Sequence, residues 1–403
     1  MKKTAGKKRI IALTAVLGVL LLVLAAEAVL PAVSRRTDTA QTQDGGPKAG
    51  LLSVRNADSA RKTGGSCTHA KWADGVCTEC GYVCLHPEHD TDGICLTCGQ
   101  KVYHSYTDGV CSCGREYNFA LYELPSEIGY NAAATPEKGT LEYFSYTTRN
   151  YKWEAQSGTQ GGTYEKRCLV YLPYGYSTDR SYDVLFLVHG GEGDESTWLN
   201  EPHTCRDYDV YFPYVLDSMI YHGACEPLIV VAFSTYLETD DGRVDMGERE
   251  QLTPEFRNDI LPAVAERYST YAADGSEAAL QAARDHFGMA GNSNGAVYTL
   301  YTGVQDCVDL LSWFGCFSGN NGVEAVVKKL NTVPELPIHF FLATCGEWEY
   351  QYGNVFGFYY DLVNGVSGLT DNGNAAVRAI LKSDHDYTTW GVSLYDALLV
   401  FFR

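Results

Sequence analysis

The stretch GMAGNSNGAVYTLY, at residues 288–301, places a serine in the pattern Gly-x-Ser-x-Gly. Gly291, Ser293 and Gly295 fit a sharp turn between a strand and a helix, in which the residues two before and two after the serine must lack a side chain. Such a turn exposes the hydroxyl as a nucleophile that can attack a carbonyl carbon. The pattern alone is weak evidence, because the chain contains 40 glycines.

A serine hydroxyl attacks only when a base removes its proton, and this base is usually a histidine held by a carboxylate. His385 follows the serine in the chain, within the polar stretch KSDHDYTTW at residues 382–390. His286 lies in the predicted strand that precedes the serine and is expected to be structural. His339 lies in an apolar run and is expected to be a core histidine. His385 is therefore the candidate base.

The carboxylate should come between the serine and the histidine in the chain, after a strand. The segment CGEWEYQYG at residues 345–353 follows an apolar run and offers Glu347 and Glu349. Asp384 and Asp386 flank the histidine too closely in sequence to orient it, and solvated loop positions suit them better. The residues alone do not choose between the two glutamates.

Attack on a carbonyl produces an oxyanion, which backbone N–H donors must stabilise. One candidate donor is the N–H of Asn294, the residue after the serine. The other is the N–H of Gly191, in the run VLFLVHGGEGDESTW at residues 184–198. There a strand ends in His-Gly-Gly, so the backbone can approach a substrate closely. An ordinary glycine-rich turn is the alternative interpretation.

The elements that must position these residues follow from the apolar pattern. Short apolar runs bounded by Gly, Pro or charged residues predict buried strands at 167–173, 184–190, 227–233, 286–290 and 337–343. Helices are predicted at 253–271, with a threonine cap and Pro254 in the first turn, at 294–303 and at the C-terminal VSLYDALLVFFR. Strands that alternate with helices indicate an α/β fold with a mostly parallel central sheet.

Eight of the fourteen cysteines lie between residues 67 and 113, in three copies of a Cys/His pattern of which the third is incomplete. The candidate metal ligands are Cys67, His69, Cys77, Cys80, Cys84, His86, Cys95, Cys98, His104, Cys111 and Cys113. Their spacing suits structural zinc, and a module this small needs a bound metal or a disulfide to fold. Disulfides are the alternative, although they do not explain the recurring histidine.

The N-terminus carries a cluster of lysines and an arginine, followed by an uncharged apolar run. This pattern indicates a secretory signal peptide or a membrane anchor through residues 10–33, with the remainder of the chain outside the cytoplasm. The net charge of −19 argues against a nucleic-acid partner.

Four segments are predicted from these changes in composition. They are a signal peptide or anchor at 1–33, a flexible linker at 34–66, zinc-ribbon-like Cys/His repeats at 67–114 and an α/β domain at 115–403.

The last of these segments resembles the family of α/β-hydrolases that contains feruloyl, acetylxylan and siderophore esterases. The likeness covers about residues 138–403 and includes VLFLVHGGEGDESTW, GNSNG, ATCGEWEYQY and HDYTTWGVSLYDALLVFF. It is nearest to clostridial feruloyl esterases found beside xylanases, whose acid segment reads Gly-x-x-Asp-x-x-Tyr. With Gly346 and Tyr352 matched, the resemblance implies that Glu349 is the acid. The family usually has Gly-x-Ser-Met-Gly at the elbow, whereas this chain has Asn294.

The resemblance implies an α/β-hydrolase fold and a serine carboxylic-ester hydrolase with Ser293, His385 and Glu349 as its triad. It implies action on feruloyl or acetyl esters of plant cell-wall polysaccharide, with no cofactor for catalysis, and the N-terminal sequence places this action outside the cytoplasm. The polar Asn294 weakens the expectation of an aromatic acyl group. The alternatives are a siderophore or other small-molecule esterase of the same fold, and a catalytically inactive surface-binding protein.

Overall fold

The computed structural model of the chain describes residues 71–73, 76–79, 95–99, 106–107, 110–111, 124–126, 128–129, 131–239 and 242–403. The predicted signal peptide or anchor at 1–33 and the predicted linker at 34–66 lie outside these residues. Within the described ranges, no helix is long and apolar enough to cross a membrane.

Two short hairpins lie in the part of the chain that carries the Cys/His repeats. Trp72–Ala73 pairs antiparallel with Val76–Cys77, and Tyr106–Thr107 pairs in the same way with Val110–Cys111. In both cases the strands flank the Asp-Gly dipeptide of their repeat. The first and third copies therefore share a backbone unit as well as a sequence pattern.

Few of the predicted metal ligands can be examined. Cys77 and Cys95 are buried and Cys98 is half-buried. Cys111 ends the second hairpin. The other candidate ligands lie outside the described residues: Cys67, His69, Cys80, Cys84, His86, His104 and Cys113. Among the residues that the structure does describe, no three His, Cys, Asp or Glu side chains gather as metal ligands would. Zinc in the repeats stays a prediction.

An eight-stranded sheet forms the centre of the rest of the chain. Its strands are β1 Thr140–Arg149, β2 Thr163–Leu172, β3 Val184–Val188, β4 Ile229–Phe233, β5 Phe287–Asn292, β6 Trp313–Phe317, β7 Phe340–Gly346 and β8 Ala375–Ile380. Their spatial order is β1-β2-β4-β3-β5-β6-β7-β8. β2 pairs antiparallel with β1 and β4, and all other neighbours pair in parallel. The prediction of a mostly parallel sheet is confirmed.

The run VLFLV of β3 explains why this sheet needs cover on both faces. Successive side chains of a strand point to opposite faces. Val184, Phe186 and Val188 join the core on one face, and Leu185 and Leu187 join the core on the other. Every residue of the strand is buried. A strand that is apolar on both sides is stable only between two layers of helices.

Helices supply those two layers. They are α1 Tyr151–Ser157, α2 Phe212–Tyr221, α3 Arg249–Glu255, α4 Leu261–Arg267, α5 Glu277–Ala282, α6 Asn294–Tyr298, α7 Val323–Leu330, α8 Tyr352–Gly365 and α9 Tyr387–Val400. α2 and α9 pack on one face of the sheet, and α3, α4, α6, α7 and α8 pack on the other. The carboxyl ends of β3, β5, β7 and β8 lie at one edge, so the loops that follow them meet there.

The helix predicted at 253–271 begins earlier and is not uniform. Its first turn starts at Arg249, where the carbonyl of Glu248 accepts the N–H of Leu252, so the predicted threonine cap is wrong. Pro254 lies inside the helix. Two residues later the helix takes π geometry at Phe256–Ile260, before it continues as α4.

Candidate active site

Ser293 is the single residue between β5 and α6. Its backbone has φ 54° and ψ −117°, a conformation that residues with a side chain rarely adopt. The N–H of Ser293 donates to the carbonyl of Phe317 at the end of β6, at 2.8 Å. The neighbouring strand thus holds the strained turn, and the predicted strand–turn–helix around the serine is present.

Both glycines of the motif are required by close backbone contacts. A Cβ on Gly291 would lie 2.6 Å from the carbonyl oxygen of Gly295. A Cβ on Gly295 would lie 2.8 Å from the carbonyl oxygen of His189, in the loop after β3. These separations are shorter than any that real Cβ atoms make. The Gly-x-Ser-x-Gly pattern therefore follows from the packing of the elbow against β3.

His385 reaches the serine from the loop between β8 and α9. Its Nε2 lies 2.9 Å from Ser293 Oγ, and its Nδ1 lies 2.8 Å from Glu349 Oε2. If Nδ1 carries the proton and donates it to the carboxylate, Nε2 is left to accept the serine hydroxyl. This is the order of contacts that general-base activation of a serine requires.

The structure brings Glu349 to His385 and keeps Glu347 away from it. The side chain of Glu349 is fully buried, and its Oε1 has no hydrogen-bond partner among the described residues. Glu347 instead accepts the N–H of Lys382 through Oε2 at 2.9 Å. It supports the backbone of the loop that carries the histidine.

The loops after β7 and β8 are fixed to each other. A Cβ on Gly346 would lie 2.6 Å from the carbonyl oxygen of Ser383 and 2.8 Å from that of Asp384, so only glycine fits there. The N–H of Trp348 donates to the carbonyl of Ser383 at 3.0 Å. The loop that holds Glu349 therefore packs directly against the loop that holds His385.

The two aspartates beside the histidine have local roles, as expected. Asp384 Oδ1 accepts the N–H of His385 at 2.8 Å. Asp386 caps α9, since its Oδ1 accepts the N–H of Thr388 at 2.8 Å. Both contacts shape the loop and leave the imidazole to Glu349.

The other two histidines considered from the sequence lie outside this constellation. His286 is structural, with Nδ1 2.7 Å from Asp183 Oδ1. The prediction that His339 is a core histidine is wrong. β7 begins only at Phe340, and the His339 side chain is 38% exposed with Nε2 2.9 Å from Asp285 Oδ1.

The candidate oxyanion donors lie beside the serine. Asn294 is the first residue of α6. A Cβ on Gly191 would lie 3.4 Å from Asn294 Nδ2, and a Cβ on Gly190 would lie 3.3 Å from Ser293 Cβ. The His-Gly-Gly segment after β3 therefore covers the elbow, and missing side chains leave room for a substrate.

His189 fixes the start of that segment. Its Nε2 accepts the N–H of Thr235 at 3.0 Å, so Nδ1 carries the proton and donates to the carbonyl of Gly190 at 2.6 Å. Burial lowers the pKa of His189 to about 4, because the charged form is poorly solvated there. The neutral ring is a structural support for the backbone beside Ser293.

A cleft of about 610 Å³ opens over Ser293 and His385. Its wall combines rings with carboxylates: His203, Tyr387 and Trp390, and Glu192, Asp194 and Glu201. The ring of His203 stacks on that of Tyr387, with centroids 3.5 Å apart. Burial lowers the pKa of His203 and raises the pKa of Tyr387, so both rings are neutral near pH 7.

These wall residues were not identified from the sequence. His203 begins a short strand at His203–Cys205 and Tyr387 is the first residue of α9, so the two are far apart in the chain and no local pattern links them. Buried Asn292 also lines the cleft, and its Oδ1 has no hydrogen-bond partner among the described residues. In the sequence, only its position inside the Gly-x-Ser-x-Gly motif indicates that Asn292 could lie at the site.

Comparison with known sequences shows similarity to part of a longer protein. No protein-family model matches the chain. Endo-1,4-beta-xylanase Y of Acetivibrio thermocellus is 34% identical over 205 residues, which are 51% of this chain and 16% of the xylanase. The chain therefore corresponds to a small part of that relative.

Comparison with solved structures covers more of the chain. A protein designated FAE is 25% identical with a TM-score of 0.58, over 72% of this chain and 97% of that one. A serine-to-alanine variant of the feruloyl esterase module from Clostridium thermocellum, complexed with sinapinate, is 24% identical with a TM-score of 0.57 over the same shares. The sheet order and these likenesses show the α/β-hydrolase fold, and together with the residues at the site they support a serine esterase.

Proposed function

We propose that this chain is a serine carboxylic-ester hydrolase that acts outside the cytoplasm on feruloyl or acetyl esters of plant cell-wall polysaccharide. One observation carries the proposal: His385 makes a 2.9 Å contact with Ser293 Oγ and a 2.8 Å contact with Glu349 Oε2. A buried acid, an imidazole and a serine in one line are arranged for acyl transfer.

In the first half of the reaction, Ser293 Oγ attacks the ester carbonyl carbon while His385 Nε2 takes the hydroxyl proton. Glu349 holds Nδ1 and stabilises the imidazolium. The tetrahedral intermediate collapses when His385 returns the proton to the alcohol oxygen. The alcohol leaves, and the acyl group stays on Ser293 as an ester.

In the second half, a water molecule takes the place of the alcohol. His385 removes one of its protons as the water oxygen attacks the acyl carbon, and then returns a proton to Ser293 Oγ. The acid is released and the enzyme is regenerated. No other reactant is needed.

Oxyanion stabilisation is assigned to the N–H groups of Asn294 and Gly191. The position of Asn294 directly after the nucleophile and the close approach of Gly191 to its side chain support this assignment. Both groups belong to backbone that is fixed before substrate binds, which makes such donors effective.

The nature of the substrate is supported by the relatives and by the cleft. One structural neighbour is a feruloyl esterase module with bound sinapinate, and the partial sequence relative is a xylanase. The cleft offers the rings of His203 and Tyr387 for an aromatic acyl group, and Glu201 as an acceptor for a phenolic hydroxyl. An acetyl ester is the second candidate substrate, because an acetyl group does not need aromatic rings in the cleft.

Location outside the cytoplasm rests on the basic and apolar N-terminal sequence at residues 1–33. The same sequence leaves two forms of the protein open, one secreted and one tethered. The Cys/His repeats at 67–114 are assigned no part in the reaction, because a four-ligand zinc site has no open position.

A substrate panel on the full chain tests the proposal. Wild type and Ser293→Ala are compared on methyl ferulate, acetylated xylan and a catecholate triester, with release of acid measured by chromatography. We expect the wild type to hydrolyse the first or second substrate and the variant to hydrolyse none. Activity on the triester alone would favour the small-molecule esterase. Inactivity on all three and on nitrophenyl acetate would favour a binding protein.

A further inference from the structure

Two aromatic residues next to Glu349 are unusually open to solvent. Trp348 is 64% exposed and Tyr350 is 73% exposed, whereas the side chain of Glu349 between them is buried. Single exposed rings are common on protein surfaces. Here two exposed rings lie in one loop, on either side of the triad acid.

The loop that carries this pair packs against the loop that carries His385. The ring centroid of Tyr350 lies 5.3 Å from that of His385. The N–H of Trp348 donates to the carbonyl of Ser383, two residues before His385. The absence of a side chain on Gly346 lets the two loops pack closely, since a Cβ there would lie 2.6 Å from the carbonyl oxygen of Ser383. The ring of Tyr350 therefore lies beside the imidazole, and Trp348 is held in the same loop by its backbone.

The chemistry of the reaction decides which part of a substrate meets them. His385 returns its proton to the oxygen of the leaving alcohol, so the alcohol group must lie beside the imidazole. Tyr350 is an exposed ring at that place, and Trp348 lies two residues before it in the same loop. The acyl group occupies the cleft over Ser293.

We propose that Trp348 and Tyr350 form a platform for the sugar that carries the ester; this inference rests on the proposed function. A sugar ring has an apolar C–H face that packs on aromatic rings and a rim of hydroxyls that needs polar neighbours. The adjoining loop supplies exposed Lys382 and Asp384. Rings set among charged groups suit a sugar, whereas an acyl chain would need a continuous apolar groove.

The test compares two esters of the same acid. Methyl ferulate has methanol as its alcohol, and a feruloylated arabinoxylan oligosaccharide has a sugar, so the ratio of their kcat/KM values reports the alcohol side alone. If the wild type hydrolyses only acetyl esters, methyl acetate and an acetylated xylo-oligosaccharide replace them. The variants are Trp348→Ala, Tyr350→Ala and the double variant, with Trp153→Ala on α1 as the control for an exposed tryptophan elsewhere.

We expect the ratio of oligosaccharide ester to methyl ester to fall about tenfold in the double variant. The ratio should stay at the wild-type value in Trp153→Ala and largely recover in the variant that carries Trp348→Phe and Tyr350→Phe. Equal melting temperatures establish that the variants fold. An unchanged ratio in the double variant overturns the platform alone. A wild type that hydrolyses none of these esters overturns the proposed function and the platform together.

Discussion

Nε2 of His385 lies 2.9 Å from Oγ of Ser293, although the two residues are 92 positions apart in the chain. β5 ends immediately before the serine, and β8 ends shortly before the histidine. Because both strands belong to the parallel part of one sheet, their carboxyl ends face the same edge. The sheet thus brings the two residues together, and the contacts of each loop set the position of its side chain.

The first prediction separates the two glutamates of the loop after β7. Glu349→Gln should lower kcat by about 10³- to 10⁴-fold, because an amide can neither hold the required tautomer of His385 nor stabilise its charge. Glu347→Gln should have little effect on kcat, since the Glu347 carboxylate accepts the backbone N–H of Lys382 and an amide oxygen can accept the same bond. Initial rates with nitrophenyl acetate measure both. Equal losses in the two variants would contradict the assignment of Glu349.

The second prediction concerns the elbow. Gly295→Ala should lower the free energy of unfolding by about 2 kcal/mol or more, because the new Cβ meets the carbonyl groups of Val188 and His189. It should also lower kcat, since Ser293 is displaced with the turn. Gly357→Ala in α8 is the matched control. A Cβ there meets nothing within 4 Å, and alanine should stabilise that helix by about 0.5–1 kcal/mol.

Urea denaturation followed by tryptophan fluorescence measures both changes. If Gly295→Ala were as stable as the wild type, the close packing of the elbow against β3 would be disproved.

The third prediction follows from the depressed pKa of His189, which is about 4 instead of the ordinary 6.5. Between these pH values the unfolded chain binds a proton that the folded chain does not. The free energy of unfolding should therefore fall as the pH drops from 6.5 to 4. One such histidine accounts for about 3 kcal/mol of that fall, at about 1.4 kcal/mol per pKa unit.

His189→Asn removes this titration. Its free energy of unfolding should fall less than that of the wild type between pH 7 and pH 4, by an amount near the value above. Urea denaturation at the two pH values provides the comparison, in which the carboxylates common to both proteins cancel. Parallel pH dependence in the two proteins would show that His189 is not held neutral by its buried site.

Much of the fold and of the candidate site could be predicted from local sequence. The apolar runs of β2, β3, β4 and β7 indicated strands, because strands buried on both faces lack polar residues. The elbow was predictable because its glycines are required by contacts that any such turn makes. His385 was predictable because it lies in a polar loop after a strand.

Other features could not be predicted because their causes are distant in the chain. β1, with alternating exposure at the sheet edge, and β6, in the short run WFGCF, were not recognised. The choice of Glu349 over Glu347 came from a resemblance, since both are glutamates of one loop. The structure distinguishes them directly, because Glu349 contacts His385 and Glu347 contacts Lys382.

The most direct test of the account asks whether Ser293 becomes nucleophilic through His385. Wild type, Ser293→Ala and His385→Ala are treated with an aryl phosphonofluoridate, which reacts with activated serines, and the modified residue is identified by peptide mass spectrometry. The account predicts one adduct in the wild type, on Ser293. It predicts no adduct in Ser293→Ala and much slower labelling of Ser293 in His385→Ala. Labelling of Ser293→Ala to the same extent, or unchanged labelling of Ser293 in His385→Ala, would contradict it.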